Sequence, residues 1–306
     1  MTSLTRFSVP AFFAVGLALI IAESASGQAA ASSRFWAPVE AALGRKGTPN
    51  PDAVLRFSFP RSDLVVVANG VTIKPAFALG SWVAFRRLGD HVMVMGDLVL
   101  LETEVAPVMA SLQQNGVEQT ALHNHLLRES PRVMYMHIHA IGNPERIARA
   151  VRTALEFTRT PLGPPATASA TASAVAHDLD TVGIARIMGV RGRMNGGVYQ
   201  LTIPRREKIH EDKTEITPAM GAATAINFQS TGAGKSAITG DFVLLGREVN
   251  QVIWILVENG IEVTAIHSHM LGEAPRLYFM HFWANDDALK LARGLRAALQ
   301  RTKTRR

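Results

Sequence analysis

The apolar positions in the second half of the chain alternate as they do in β-strands. Residues Val198 to Ile203 alternate between apolar and polar side chains and are rich in β-branched types, which predicts a strand. The segments 222–228 and 237–245 predict two more strands. The glycine-rich segment from Ser230 to Lys235 lies between them, and it predicts a hairpin turn.

Helical spacing follows these strands. Apolar residues from Glu248 to Asn259 recur on one helical face, and Gly260 is placed to end that helix. The segments Ile261–Met270 and Leu277–Ala284 predict two further strands, and Asp286–Arg301 predicts a closing helix with acidic residues first and basic residues last. The order is roughly β-β-β-α-β-β-α. This order predicts an α+β fold in which helices cover a mainly antiparallel sheet.

The chain contains this unit twice. The stretch from His123 to His137 recurs as His267 to His281, at a constant offset of 144 positions. A repeat at a fixed offset is typical of tandem duplication. We therefore predict two pseudo-repeats, copy one at residues 34–160 and copy two at residues 178–306. Residues 161–177, rich in proline, alanine, serine and threonine, are predicted to link them.

The N-terminus has the pattern of an export signal. Arg6 precedes the apolar run Val9–Ala22, and small residues follow up to position 30. The run is short for a membrane span, which needs about 20 residues, so cleavage is favoured over anchoring. The chain has no cysteine, which excludes disulfides, thiolate ligands and a lipidated N-terminal cysteine. Residues 1–30 are thus predicted to be a signal peptide of a periplasmic or secreted protein with no stable membrane span.

The charge suggests partners of the mature protein. The formal net charge is +7, and removing Arg6 and Glu23 with the signal leaves it at +7. A basic exported protein suits an anionic envelope polymer or a small polar ligand. Nucleic acid is a poor partner, because export separates the protein from it and an aromatic content of 7% provides few stacking surfaces.

The repeated motif has the composition of a metal site. Two histidines two positions apart on a strand point to the same face, and a third histidine follows on the returning strand. Imidazole and carboxylate ligands suit a divalent transition metal, zinc first, although copper, iron and manganese use the same donors. The predicted ligands are His123, His125, Glu129, His137, His267, His269, Glu273 and His281.

Two other interpretations of the motif stay open. The glutamates can pair with Arg132 and Arg276 across turns fixed by Pro131 and Pro275, which would make the motif structural. Alternatively, the same residues form a polar ligand site without a metal.

Further polar residues are candidates for chemistry. Glu129 and Glu273 are predicted bases if they are not ligands, and Arg132 and Arg276 are predicted to hold an anionic group. Asp97 and Asp241, each after a glycine, are candidate ligand-binding residues that would orient a histidine, although a turn role is favoured. Glu104 and Glu248 are explained as acids in the first turn of a helix, and Met136 and Met280 as core residues.

The doubled pattern Gly-Asp, Asn-Gly, His-x-His-x-x-x-Glu-x-Pro-Arg and Met-His behind an export signal resembles the LppY/LpqO family of envelope proteins. The resemblance covers nearly all of the mature chain and implies a duplicated domain of unknown function. The leading hypothesis is an exported protein that binds a divalent metal or small polar ligand, with or without catalysis. The alternatives are a metal-dependent hydrolase of an envelope polymer and a structural envelope protein without a metal.

Overall fold

The computed structural model describes residues 32–163, 178–211 and 213–304. The predicted signal peptide lies outside these residues, and so does most of the predicted linker. No helix within the described ranges combines the length and apolar character needed to span a bilayer.

The first half begins with a helix, α1, over residues 32–43. Its strands are β1 (Thr48–Asn50), β2 (Val54–Pro60), β3 (Val66–Ala68), β4 (Val71–Ile73), β5 (Gly80–Leu88), β6 (His91–Leu101), β7 (Glu118–His123), β8 (Glu129–Ser130) and β9 (Val133–Gly142). Its other helices are α2 (Pro75–Ala78), α3 (Glu102–Gln114) and α4 (Pro144–Leu155).

The second half repeats this order. It begins with α5 (Thr181–Met188) and continues with β10 (Arg193–Asn195), β11 (Val198–Pro204), β12 (Ile209–Glu211), β13 (Thr214–Ile216), a 3₁₀ turn (Pro218–Met220), β14 (Ala223–Gly232) and β15 (Lys235–Leu245). The remaining elements are α6 (Gly246–Glu258), β16 (Glu262–His267), β17 (Glu273–Ala274), β18 (Leu277–Asp287) and α7 (Ala288–Leu299).

The same sheet is built in each half. The strand order is β1-β2-β5-β6-β9-β7 in the first and β10-β11-β14-β15-β18-β16 in the second, and all neighbours are antiparallel. Each half adds a three-stranded sheet, β4-β3-β8 or β13-β12-β17. The predicted α+β fold with two similar halves is confirmed. The sequence pattern missed the initial helices and the short strands of the small sheets.

Each large sheet has a helix face and an inner face, because successive side chains of a strand alternate. On the helix face of the first sheet, Phe57, Phe85, Val94 and Met136 pack with residues of α1, α3 and α4. The second half buries an equivalent core that includes Met280. Both methionines thus pack in the cores, as predicted.

The inner faces of the two sheets are buried against each other. Met93 and Met95 of the first half share a buried cluster with Val243 and Phe279 of the second. A second shared cluster contains Val99 and Tyr135 together with Ala237 and Trp283. The molecule is therefore a four-layer sandwich in which helices cover the outside of two facing sheets.

Hydrogen bonds between the halves follow a pseudo-twofold pattern. The Thr120 hydroxyl donates to the His269 carbonyl at 2.6 Å, and the Thr264 hydroxyl donates to the His125 carbonyl at 2.6 Å. The two histidine loops are thus held by the opposite half, next to the predicted site.

Candidate functional site

Histidines of both motif copies meet between the inner faces. His123 and His267, the last residues of β7 and β16, stack with 3.5 Å between their ring centroids. The ring of His125 in the first half lies 3.8 Å from that of His281 in the second, with the two planes tilted by 30°. His137 and His269 form the reciprocal pair at 3.6 Å. The two motifs therefore build one composite cluster.

The imidazoles in this cluster present unused nitrogens. The Nε2 atoms of all six histidines are buried, and none of the six has a hydrogen-bond partner. Ligand atoms of four histidines lie within 4.8 Å of one another, namely those of His123, His267, His269 and His281. We call these four residues the four-histidine group. Buried polar atoms are almost always paired in folded proteins, so this convergence of unpaired nitrogens suits a bound cation.

Hydrogen bonds at the other ring nitrogen orient three of these histidines. Nδ1 of His281 lies 2.8 Å from the Gly240 carbonyl oxygen, and because a carbonyl only accepts, Nδ1 must carry the proton. Nδ1 of His123 and of His267 lie 3.1 and 3.3 Å from the carbonyl oxygens of the following residues. This tautomer leaves Nε2 with a free lone pair, as a metal ligand requires.

The glycine of each Gly-Asp pair has a steric role. A Cβ atom built on Gly240 would lie 2.0 Å from the Ala225 carbonyl oxygen, and one on Gly96 would lie 2.8 Å from the Trp82 carbonyl oxygen. Only glycine lets these strands approach so closely. Gly96 also bonds to His137 through its backbone, as Gly240 does to His281. The Gly-Asp motif thus supports the histidines directly.

Burial keeps the histidines neutral. Desolvation, reinforced by His267, lowers the pKa of His123 to about 3, and desolvation lowers the pKa of His267 to about 4. Desolvation and neighbouring imidazoles lower the pKa of His125, His137, His269 and His281 well below the usual value. The cluster is therefore a set of neutral nitrogen donors at neutral pH.

Two aspartates face the histidines from the middle strands. The oxygens of Asp97 lie 3.9 Å from Nε2 of His125 and 3.9 Å from Nε2 of His137. Asp241 lies 3.6 Å from Nε2 of His269. Burial raises the pKa of Asp97 to about 7 and raises the pKa of Asp241 well above its usual value. The favoured turn role was wrong, since both residues lie inside strands β6 and β15.

The structure does not bring the two glutamates into the four-histidine group. Glu273 accepts a hydrogen bond from the Leu277 amide at 2.8 Å, and its other oxygen lies 3.3 Å from Nη1 of Arg276. Glu129 accepts a longer bond from the Val133 amide at 3.4 Å, and burial raises its pKa to about 7. The carboxylates thus hold the turns where the motif returns. The Glu273–Arg276 contact is a pair that the structural interpretation predicts, whereas Arg132 lies next to Glu102 and not Glu129.

The motif arginines are solvent-exposed. The Arg132 side chain is 67% exposed, and its Nε lies 3.8 Å from Glu102. Arg276 donates to the Leu271 carbonyl oxygen at 3.0 Å and is 48% exposed. Neither arginine lines the cavity beside the histidines.

That cavity, of about 1420 Å³, reaches the cluster from one side. Both aspartates line it, together with His125, His137, His269 and His281. Its walls differ between the halves. In the first half, the Arg56 guanidinium lies over the Trp82 ring at 3.9 Å. The pairing of the strands places Gln200 and Ala225 at the equivalent positions of the second half. This asymmetry could not be inferred from the histidine motif.

The strands end earlier than the sequence suggests. β7 ends at His123 and β16 ends at His267, so His125 and His269 lie in the loops that follow. His267 lies opposite Phe279 of the returning strand β18. The Ser130–Pro131 and Ala274–Pro275 bonds in the returning turns are cis. The second histidine of each pair thus reaches the cluster from a loop.

Comparisons with known proteins give a family and no function. No curated protein matches the chain. One similar solved structure is a trimeric bacterial microcompartment shell protein, PduB, with 10% identity over 84% of this chain and 92% of that one and a TM-score of 0.22. Another is EtuB from Clostridium kluyveri, with 8% identity over 84% of this chain and 90% of that one and a TM-score of 0.20. These TM-scores are too low to indicate a shared fold.

A family model matches both halves. The match covers residues 37–157 and again residues 182–301, in agreement with the repeated sheets and histidine motifs. The chain therefore belongs to the family described as Domain of Unknown Function (DUF1259), and it contains two tandem copies of that domain.

Proposed function

We propose that the protein binds a divalent transition metal at the composite histidine cluster. The observation that carries the proposal is the set of six buried Nε2 atoms without hydrogen-bond partners. Leaving a buried polar atom unpaired costs about 1–3 kcal/mol, so a purely structural cluster of this kind would strongly destabilise the folded state. A cation that accepts several of these lone pairs removes that cost.

Zinc is the expected metal, because neutral imidazoles with an adjacent carboxylate are its usual donors. Copper, iron and manganese remain alternatives, since geometry and supply select among them. We propose that the protein acts in the periplasm or outside the cell, because the predicted signal peptide and the resemblance to the LppY/LpqO family favour export.

The test is elemental analysis of the full chain purified without an affinity tag. A His123→Ala/His267→Ala variant removes the stacked pair at the centre of the cluster. We expect the wild type to carry a stoichiometric transition metal and the variant to lose most of it. The matched control is His91→Ala, which removes an exposed histidine from the strand that also carries Asp97.

The control variant should keep the wild-type metal content. A wild type that contains no metal, and whose melting temperature stays unchanged when zinc is added, would contradict the proposal. The histidines would then form a structural cluster or a pocket for a polar organic ligand.

A second candidate function is hydrolysis of an anionic envelope polymer, and the cavity favours it. The cavity reaches Asp97 and Asp241, and Arg56 lines its wall where an anionic group would bind. Because Glu129 and Glu273 accept hydrogen bonds from backbone amides, the two aspartates replace them as candidates for proton transfer. A bound metal would supply Lewis acidity in such a reaction.

Turnover of anionic polysaccharides and phosphate-containing polymers by the metal-loaded protein tests this candidate. Arg56→Gln copies the residue at the equivalent position of the second half. We expect this variant to weaken substrate binding about tenfold or more, because a charged hydrogen bond contributes about 1.5–3 kcal/mol. A substrate that is cleaved equally well by the variant would exclude Arg56 as the anion-binding residue.

A further inference from the structure

We infer that the cluster holds a second metal ion, bound by Asp97, His125 and His137 beside the ion of the four-histidine group. The inference rests on the proposed function and specifies its stoichiometry. It also identifies which ion a ligand in the cavity reaches.

The first observation is that the four-histidine group leaves good ligands unused. Four donors complete the coordination usual for a structural zinc ion. His125 and His137 are outside that group, yet their Nε2 atoms are also buried without a hydrogen-bond partner. Oδ1 of Asp97 is likewise buried without a hydrogen-bond partner. Three donors from one half therefore remain after the first ion is satisfied.

The distances from Asp97 to the two histidines suit a shared ion. Nε2 of His125 lies 3.9 Å from Oδ2 of Asp97 and Nε2 of His137 lies 3.9 Å from Oδ1, and both distances are too long for a hydrogen bond. Two ligands that are each about 2.1 Å from one ion lie about 3.4 Å apart in a tetrahedron and up to about 4.2 Å apart across an octahedron. The observed separations fall between these values.

The second half has no equivalent set of three ligands that remains outside the four-histidine group. Asp241 lies 3.6 Å from His269 and 4.0 Å from Nδ1 of His281, but both histidines already belong to the four-histidine group. The two halves therefore differ in the number of ligands left for a second ion, which breaks the pseudo-twofold pattern. The inferred second site belongs to the first half.

Access also differs between the two sites. All three ligands of the inferred site, Asp97, His125 and His137, line the cavity. Of the four-histidine group, His269 and His281 line it and His123 and His267 do not. An ion with three protein ligands keeps a position open for an external ligand. Arg56 lines the same cavity and interacts electrostatically with Asp97. The open position therefore suits an anionic oxygen ligand, such as a carboxylate or a phosphate.

The experiment counts zinc ions in the full chain by native mass spectrometry and by elemental analysis after zinc loading. We expect two equivalents in the wild type and one in Asp97→Asn, a substitution of nearly the same shape. His125→Ala/His137→Ala should likewise retain one, and His91→Ala should retain two. Circular dichroism establishes that each variant is folded before its ions are counted.

The wild-type count separates the two proposals without any variant. One equivalent in the wild type would overturn the second site while leaving the proposed function intact. No zinc at all would overturn the proposed function, and the second site with it. Two equivalents in the wild type and still two in folded Asp97→Asn would overturn the assignment of these residues.

Discussion

At the scale of single residues, the site is a group of neutral imidazoles, and backbone carbonyls fix the tautomer of His123, His267 and His281. The Gly240 carbonyl fixes the proton of His281 on Nδ1, which leaves Nε2 directed into the cluster. An alanine at position 240 would clash with the neighbouring strand. The glycine beside the aspartate is therefore needed to place the carbonyl that orients the histidine.

We predict that the metal-free protein loses stability as the pH falls from about 7 to 5. In the unfolded chain each histidine takes up a proton near pH 6.5, whereas in the folded chain all six cluster histidines stay neutral to a much lower pH. The unfolded state therefore binds more protons in this range, which favours unfolding.

Three carboxyl groups oppose this effect. The raised pKa values of Asp97, Asp241 and Glu129 mean that the folded state holds protons there which the unfolded state has released. With six histidines against three carboxyls, the excess of protons on the unfolded state is close to zero near pH 7 and rises to about three by pH 5. The free energy of unfolding should fall by about 1.4 kcal/mol per pH unit for each net proton.

Urea unfolding at pH 7, 6 and 5 with a chelator present measures this slope. His125→Asn/His269→Asn removes two of the titrating groups and should flatten the dependence, whereas His91→Ala should leave it unchanged. A midpoint that is the same at pH 7 and pH 5 in the wild type would contradict the prediction.

At the scale of secondary structure elements, the long strands of the large sheets were the easiest to predict. The alternation from Val198 to Ile203 corresponds to β11, and the later apolar segments correspond to β14, β15, β16 and β18. β15 and β18 are apolar along most of their length because both faces of the sheet are covered. Alternation cannot show where a strand ends in a loop. This is why His125 and His269 were expected on strands and lie beyond them.

The helix that follows each central strand, β6 or β15, also contributes a glutamate to a buried ion pair, which its local sequence did not indicate. Glu248, predicted only as a first-turn acid, accepts from the Leu245 amide at 2.8 Å and pairs with Arg205 at 2.7 and 3.1 Å. Glu104 and Arg61 form the same pair in the first half. The partners are 43 positions apart, so local sequence patterns could not join them.

We predict that Glu248→Ala destabilises the protein by about 3–5 kcal/mol, because it leaves the buried Arg205 guanidinium without its main partner. Chemical denaturation measures the change. The control, Glu145→Ala, breaks an exposed ion pair with Arg149 and should cost about 0.5 kcal/mol or less. Equal effects of the two substitutions would refute a special role for the buried pair.

At the scale of the whole molecule, the two domain copies build one composite histidine cluster. The repeat was evident from the sequence, but a repeat alone does not distinguish two separate sites from one. The stacking of His123 on His267, and the crossed pairs beside it, depend on how the sheets face each other. That contact is made by buried clusters drawn from both halves.

We predict that His123→Ala and His267→Ala are strongly non-additive in zinc affinity. Each single variant should weaken binding at the same centre, so the double variant adds little to either. Zinc titration by calorimetry of the wild type, both single variants and the double variant gives the cycle. Independent, additive losses from the two variants would indicate separate sites.

The two halves line the cavity with different residues, so the cavity is not symmetric about the pseudo-twofold axis. In a symmetric pair of identical domains, any change on one side of the axis must appear on the other. Joining two copies in one chain removes this constraint. Arg56 and Trp82 of the first half occupy the positions that Gln200 and Ala225 occupy in the second half. A ligand with one anionic end and one neutral end would therefore bind in a single orientation, with its anionic end toward Arg56 and the neighbouring Arg193.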